Sequence, residues 1–188
     1  MGIFGNLFGR KPKGQPYVDA GMALSFKLCR SLDLADWNEG LPTYTQEEQE
    51  AIDRHLSMFQ TMANREMGDE AAFHPDVAPV IQRHVAGQAL EDLAATQWRL
   101  IRDSAEVPAS WKTLVSTFLK AWVAQLNPQI LLELGEVLVK AKHKDQAKEV
   151  FHAVLLFPTY AKTLWGKDDA ELLQGIIGQA KEALKRLN

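Results

Sequence analysis

The sequence predicts an all-α protein, one domain of about seven helices, and three observations carry that reading. Apolar residues recur at steps of three and four along most of the chain, most clearly at Trp111, Leu114, Val115, Phe118, Leu119, Trp122, Val123 and Leu126. No alternation of polar and apolar residues between turn signals runs long enough for a strand. Helix-start signals precede the periodic runs: Thr45 with Glu48, Asn127 before Pro128, and Asp168 with Glu171. The chain has 188 residues, 46% hydrophobic and 24% charged, which suits one globular domain with a real core. Residues 1–15 read as a flexible segment and 16–188 as a single all-α domain, with an N-terminal helical part at 16–106 and a C-terminal part at 107–188.

The first residues, MGIFGNLFGRKPKGQ, place Ile3, Phe4, Leu7 and Phe8 beside Arg10, Lys11 and Lys13. Apolar anchors next to cations suit an anionic membrane surface. Gly2, Gly5 and Gly9 weaken any helix there, and Asn6 stands where a myristoylation signal needs Ser or Thr. The favoured reading is a mobile terminus whose aromatics dock on the domain or stay free.

Pro16 to Leu34 is predicted helical and buried, with Tyr17, Ala20, Leu24 and Leu28 on one stripe and Met22, Phe26 and Cys29 beside it. Asp36–Tyr44 holds Asn38, Gly40 and Pro42 and reads as a loop. Thr45 and Glu48 then form a capping box, helped by Glu47 and Glu50 through the helix dipole. Ile52, Leu56, Phe59 and Met62 supply that helix's inner face, and it should stop near Gly68. From Pro75 to Ser104 the pattern is helical again, with Gly87 a candidate break. Val77, Val80, Ile81 and Val85 precede it, and Leu90, Leu93, Trp98 and Ile101 follow. Pro79 is tolerated in a first turn. Pro108 opens the strongly periodic run, which ends at Asn127-Pro128.

Asn127 is a good N-cap and Pro128 suits the first helical position. Leu131, Leu134, Leu138 and Ala141 make one apolar stripe; Ala147, Val150, Phe151, Val154 and Leu155 make a second. The polar run Lys142–Asp145 links them, and Gly135 leaves room for close approach. This is an antiparallel helical hairpin that must bury both stripes against neighbours. In the last helix Leu172, Leu173, Ile176, Ile177, Ala180, Ala183, Leu184 and Leu187 face inward, and Lys181, Lys185 and Arg186 suit its C-terminal end.

Leu131, Leu134, Gly135 and Leu138 also fit the spacing W-x₂-L-G-x₂-Y, and Ala147, Phe151 and Pro158 fit A-x₃-F…P. Residues 128–158 thus resemble one tetratricopeptide repeat, with Leu where that family prefers Trp and Tyr. A unit of roughly 34 residues is about a sixth of the chain. One unit back lie Gln97 and Ile101; one unit forward, Trp165 is followed by Asp168 and Asp169 in place of Leu-Gly. No regular array of repeats is visible. The resemblance implies antiparallel pairs stacked in the C-terminal half, with an irregular bundle covering one end. It implies that the first helix of the pair lines a concave surface, where Gln129, Glu133, Glu136 and Lys140 are left over from packing and face a partner. It therefore implies a non-enzymatic interaction module for a protein or peptide that the sequence does not name.

Other constellations have plainer readings. Glu149 and His152 have the Glu-x-x-His spacing of di-iron bundles, but only one copy is present, so a solvated acid and an ordinary histidine are expected. Glu70 and His74 straddle a helix start. His84 reads as a hydrogen-bonded core histidine and His55, beside Asp53, as surface charge. Cys29 has Lys27 and Arg30 nearby but no assignable histidine, so a buried inert thiol is expected. Trp98, Trp111 and Trp122 belong to core stripes, and Trp37 and Trp165 read as lids over the core rather than exposed anchors. No phosphate-cradling loop, nucleophile elbow or zinc-protease pair is present, so no catalytic, cofactor or metal residues are assigned. A net charge of −3 and a pI of about 6.0 disfavour nucleic acid. A single cysteine, no signal-peptide order and no membrane-length apolar run point to the cytoplasm. The alternatives carried forward are a small-ligand- or metal-binding bundle, an enzyme included, and a peripheral membrane adaptor acting through the first residues.

Overall fold

The computed structural model describes residues 15–38, 41–67, 78–157 and 170–188, and seven α-helices make up nearly all of them. They are α1 (Gln15–Leu32), α2 (Gln46–Met67), α3 (Ala78–Arg102), α4 (Trp111–Gln125), α5 (Pro128–Lys140), α6 (Lys144–Leu156) and α7 (Ala170–Leu187). The all-α expectation holds. The predicted features of residues 1–14, the helix boundaries at Gly68 and Pro75, and Pro158, Tyr160 and Trp165 lie outside the described residues.

The strongly periodic run becomes the axis of the fold. Every residue of α4 from Leu114 to Trp122 is buried, because its neighbours α3, α5 and α1 cover it on several sides. Each helix from α3 onward packs on the one before it, and α1 returns to lie on α6 and α4. Across that zigzag α3 also touches α5, and α5 touches α7. Packing against four neighbours explains why α5 is apolar over so much of its surface.

The hairpin forms as its caps predict. Asn127 is extended, and its Oδ1 accepts from the backbone N–H of Gln129 at 3.0 Å. At the other end of α5, Lys142 takes a left-handed conformation at φ 66°. Its N–H donates to the Val139 carbonyl at 3.0 Å, and the His143 N–H donates to the Leu138 carbonyl at 2.8 Å. This is a Schellman ending with lysine where glycine is usual. Between the helices Gly135 sits under the Phe151 ring; a Cβ there would come within 2.4 Å of Cε1. Leu131, Leu134, Leu138, Val150, Phe151 and Val154 are fully buried in consequence, each worth about 1.5–3 kcal/mol of burial.

Several expectations are corrected. The loop after α1 contains a short antiparallel ladder, β1 (Trp37–Asn38) with β2 (Leu41–Pro42), Trp37 opposite Pro42. Two residues a side are too few to show alternation. Gly87 does not break α3. It is buried, and a Cβ there would come within 2.6 Å of the Gln125 side chain, so it admits α4 instead. Met62, Val80 and Leu172 point outward, at 60%, 66% and 58% exposure. Among the described residues, helices α2 and α7 stand at the ends of the zigzag and have fewer neighbours, so a narrower stripe suffices for Met62 and Leu172, while Val80 lies in the first turn of α3.

Candidate functional site

Gln129, Glu133, Glu136 and Lys140 share one stripe of α5, and the structure places that stripe beside α3. All four are half-buried. Gln129 Nε2 donates to Glu133 Oε1 at 2.9 Å, within the helix. Glu136 Oε2 accepts from the indole N–H of Trp98 at 3.3 Å. Lys140 Nζ donates to the carbonyl of Arg102 at 2.9 Å and also to that of Ser104, satisfying the C-terminal end of α3. The premise that the whole stripe is free of packing therefore fails for Glu136 and Lys140, which tie α5 to α3. Gln129 and Glu133 remain unattached to the neighbouring helix.

Glu91 of α3 completes an acidic strip with Glu133 and Glu136. Its Oε1 accepts from Asn127 Nδ2 at 3.3 Å. Burial pushes the Glu91 carboxyl above the ordinary carboxylate range, and the charges of Glu133 and Asp92 add to this. Burial likewise raises Glu136; the Trp98 hydrogen bond opposes the rise and Glu133 reinforces it. The three contacts from Glu91, Trp98 and Arg102 to Asn127, Glu136 and Lys140 join residues 36, 38 and 38 apart. Both sets ascend in number together, so α3 and α5 run parallel, side by side.

A second polar feature was not foreseen. Lys120, in the middle of α4, has a side chain with no solvent exposure. Its ammonium donates to Glu48 Oε2 at 2.7 Å and Asp36 Oδ2 at 2.5 Å. Glu48 is also the capping-box acid: its Oε2 accepts from the Thr45 N–H at 2.8 Å, and Oε1 accepts from Thr117 Oγ1 at 2.7 Å. Ser116 Oγ donates to Asp36 at 2.6 Å and accepts from Trp37 Nε1 at 2.8 Å. The Tyr44 ring lies 5.8 Å from the ammonium. Every polar atom of the cluster named here has a partner, so it pins the 33–45 loop and the start of α2 to α4. The charge of the lysine is balanced by the two carboxylates it joins.

The remaining candidates separate. Glu149 pairs with Lys27 at 2.5 Å, while His152 is exposed. His84 is exposed, not in the core, because no helix among the described residues covers its side of α3. His55 is more than surface charge. Nδ1 lies 3.0 Å from the Ala51 carbonyl and Nε2 lies 3.1 Å from Asp92, joining α2 to α3. Burial pushes the Cys29 thiol up to about 12, and Asp36 adds to the rise, which makes it a poor nucleophile. Trp37 packs as a lid on the core. Glu70, His74 and Trp165 lie outside the described residues. Among the described residues no three His, Cys, Asp or Glu side chains converge as a metal-binding group. Compared with protein-family models, curated proteins and solved structures, the chain matches none of them.

Proposed function

We propose that the chain is a non-enzymatic protein–protein interaction module, built as a short tetratricopeptide-like stack. The observation that carries this reading is the parallel pairing of α3 with α5 at a separation of 36–38 residues. In a stack of helical hairpins the first helix of each pair lies beside the first helix of the next, one repeat length away. Taking α3–α4 and α5–α6 as two such pairs, α3, α5 and α7 form the first-helix row, and α7 stands as the terminal helix that a stack requires. The contact of α7 with α5 supports the same arrangement. α1 then covers the outer row, on α4 and α6.

On this reading the partner meets the α3–α5 row at Gln129, Glu133 and Glu91. Those side chains present an amide and two carboxylates whose mutual repulsion a cationic side chain would relieve. A reducing compartment, the cytoplasm, fits a chain with one cysteine. No helix among the described residues is long and apolar enough to cross a membrane.

The test is an affinity capture with the full chain as bait, run beside a Glu91→Lys/Glu133→Lys variant of unchanged circular dichroism. A protein retained by the native chain and lost by the variant is the expected result. Equal recovery by both, or nothing above background, refutes the proposed surface. Native mass spectrometry and elemental analysis of the purified protein run alongside; stoichiometric metal or a bound small molecule would replace this reading with a ligand-binding one.

A further inference from the structure

A cleft lies where α2, α3 and α4 meet the 42–44 segment, and it holds about 570 Å³. That volume is in the range of small-ligand sites, roughly 300–1,000 Å³. Ala86 and Ala124 leave it open, because each offers only a methyl where α3 meets α4. Ile52 and Leu56 of α2 make an apolar wall, and Pro42 and Tyr44 add to it. Two contacts hold that wall in place. Glu48 ties the start of α2 to Lys120 at 2.7 Å, and His55 Nε2 lies 3.1 Å from Asp92 of α3. Ile52 stands between these ties in the chain. The wall is therefore held at both ends, and the space persists without a ligand to prop it open.

We propose that this cleft reversibly binds a monocarboxylic acid with an apolar body, the carboxylate held by Arg83 and the body laid against Ile52, Leu56 and Val123. Arg83 is the exposed cation of the cleft wall. The other lining cation, Lys120, has no solvent exposure and already serves Asp36 and Glu48. Arg83 Nη2 donates to the Val123 carbonyl in the last turn of α4 at 2.6 Å, which positions the guanidinium before a ligand arrives. That bond uses one of its five N–H groups, and two of the rest match the paired oxygens of a carboxylate. Among the described residues no ion pair joins Arg83 to an acid, and no acid lines the cleft. A cationic ligand would meet no counter-charge there. The Tyr44 ring, a surface that receives cations, already lies 5.8 Å from the Lys120 ammonium. Pro79 and Arg83 belong to the first two turns of α3, whose dipole adds positive potential at the same place. Glu91 and Glu133 do not line the cleft, so a ligand here leaves the α3–α5 row free for a partner.

The probes are phenylbutanoate and its neutral amide, phenylbutanamide, titrated into the full chain by calorimetry and followed by backbone amide shifts in two-dimensional NMR. The acid should saturate one site and bind at least about ten-fold tighter than the amide, because only the acid forms charge-assisted hydrogen bonds. The shifts should centre on residues 42–56, 79–86 and 120–124. In an Arg83→Gln variant the acid should fall to the affinity of the amide. Binding of the amide should stay the same, which also reports that the cleft is intact. An Ala86→Leu variant puts a larger side chain into the floor and should weaken both probes by a similar factor. Equal affinity of acid and amide for the native chain overturns the proposal, as does a lack of saturable binding by the acid. Shifts centred elsewhere overturn it too, as does an Arg83→Gln variant that keeps the preference or an Ala86→Leu variant that binds like the native chain.

Discussion

Replacing Lys120 by Met keeps the length of the side chain and removes the charge. The ammonium is fully buried and is bonded to Glu48, whose side chain is 1% exposed, and to Asp36, at 24%. Removing one member of a buried ion pair costs about 3–5 kcal/mol, mostly because the other charge is left unpaired out of water. Two features place this case at the lower end. Glu48 keeps its hydrogen bonds from Thr45 and Thr117, and Asp36 keeps the bond from Ser116 and can turn toward solvent. The expected loss is about 3 kcal/mol, a large part of the roughly 5–15 kcal/mol that holds a domain folded. Urea unfolding followed by tryptophan fluorescence and far-ultraviolet circular dichroism measures it, with the midpoint falling and the slope unchanged. A double-mutant cycle with Glu48→Gln identifies the cause. The second substitution should cost less in the Lys120→Met background, with a coupling of about 1–3 kcal/mol. A Lys120→Met protein within about 0.5 kcal/mol of native, the range of an ordinary surface substitution, would refute the account, as would a cycle with no coupling.

The other predictions concern single contacts. Gly135→Ala drives a methyl into the Phe151 ring, so overpacking of about 1–3 kcal/mol should outweigh the gain of about 1 kcal/mol in helix propensity; Phe151→Leu in that background should recover part of the loss in denaturant melts. Gly178→Ala, with nothing within 4 Å of the new methyl, should raise the unfolding free energy by about 0.5–1 kcal/mol. Asn127→Ala removes the cap on Gln129 and should cost about 1 kcal/mol by the same assay. Glu136→Gln tests the acidic strip. Burial raises the folded-state pKa of Glu136 above its ordinary 4.5, so the folded state binds the proton more tightly and this group's contribution to stability is lost as pH rises through that raised value. The variant should therefore gain on the native protein at neutral pH, and the gain should shrink as pH falls toward 4.5; thermal melts across that range with a constant difference would contradict it.

What the sequence disclosed was local. The α5–α6 hairpin could be read because its cap, its proline, its two stripes and the Gly135–Phe151 pair all lie within 32 residues, 127–158. The capping box of α2 was legible for the same reason, and its two reciprocal hydrogen bonds are formed. The second role of Glu48 was hidden, because Lys120 and Thr117 stand 72 and 69 residues away. A signal did exist. Lys120 is the one charged residue between Thr113 and Ala124, in a run whose only other polar residues there are Ser116 and Thr117, and a cation inside a fully buried helix has to find anions. Helical spacing likewise picked out the stripe of Glu136 and Lys140, but a wheel shows only that a face is polar. That α3 lies against it, offering an indole N–H and free carbonyls, is a tertiary fact.

On the proposed reading of α3–α4 and α5–α6 as two stacked pairs, the same limit would explain why the motif has one copy. A repeat signature records where small residues must sit so that a pair can close. In α5–α6 the close point is Gly135 against Phe151, 16 residues on. In α3–α4 it is Gly87 against Ala124 and Gln125, 37 and 38 residues on, because α3 is 25 residues long and residues 103–110 separate it from α4. The glycine that admits α4 therefore falls early in α3, far from the position beside α5 that matches Gly135, and Trp98 stands near that level. Shifting the sequence by 34 residues compares Gly135 with Ile101, whereas the helices align at 36–38. Whether or not the two pairs are repeats of one unit, each solves its own closure problem with different residues. An alignment of this chain against itself, offset by the contact register instead of the motif length, should place Glu91 and Trp98 against Asn127 and Glu136 without pairing their glycines.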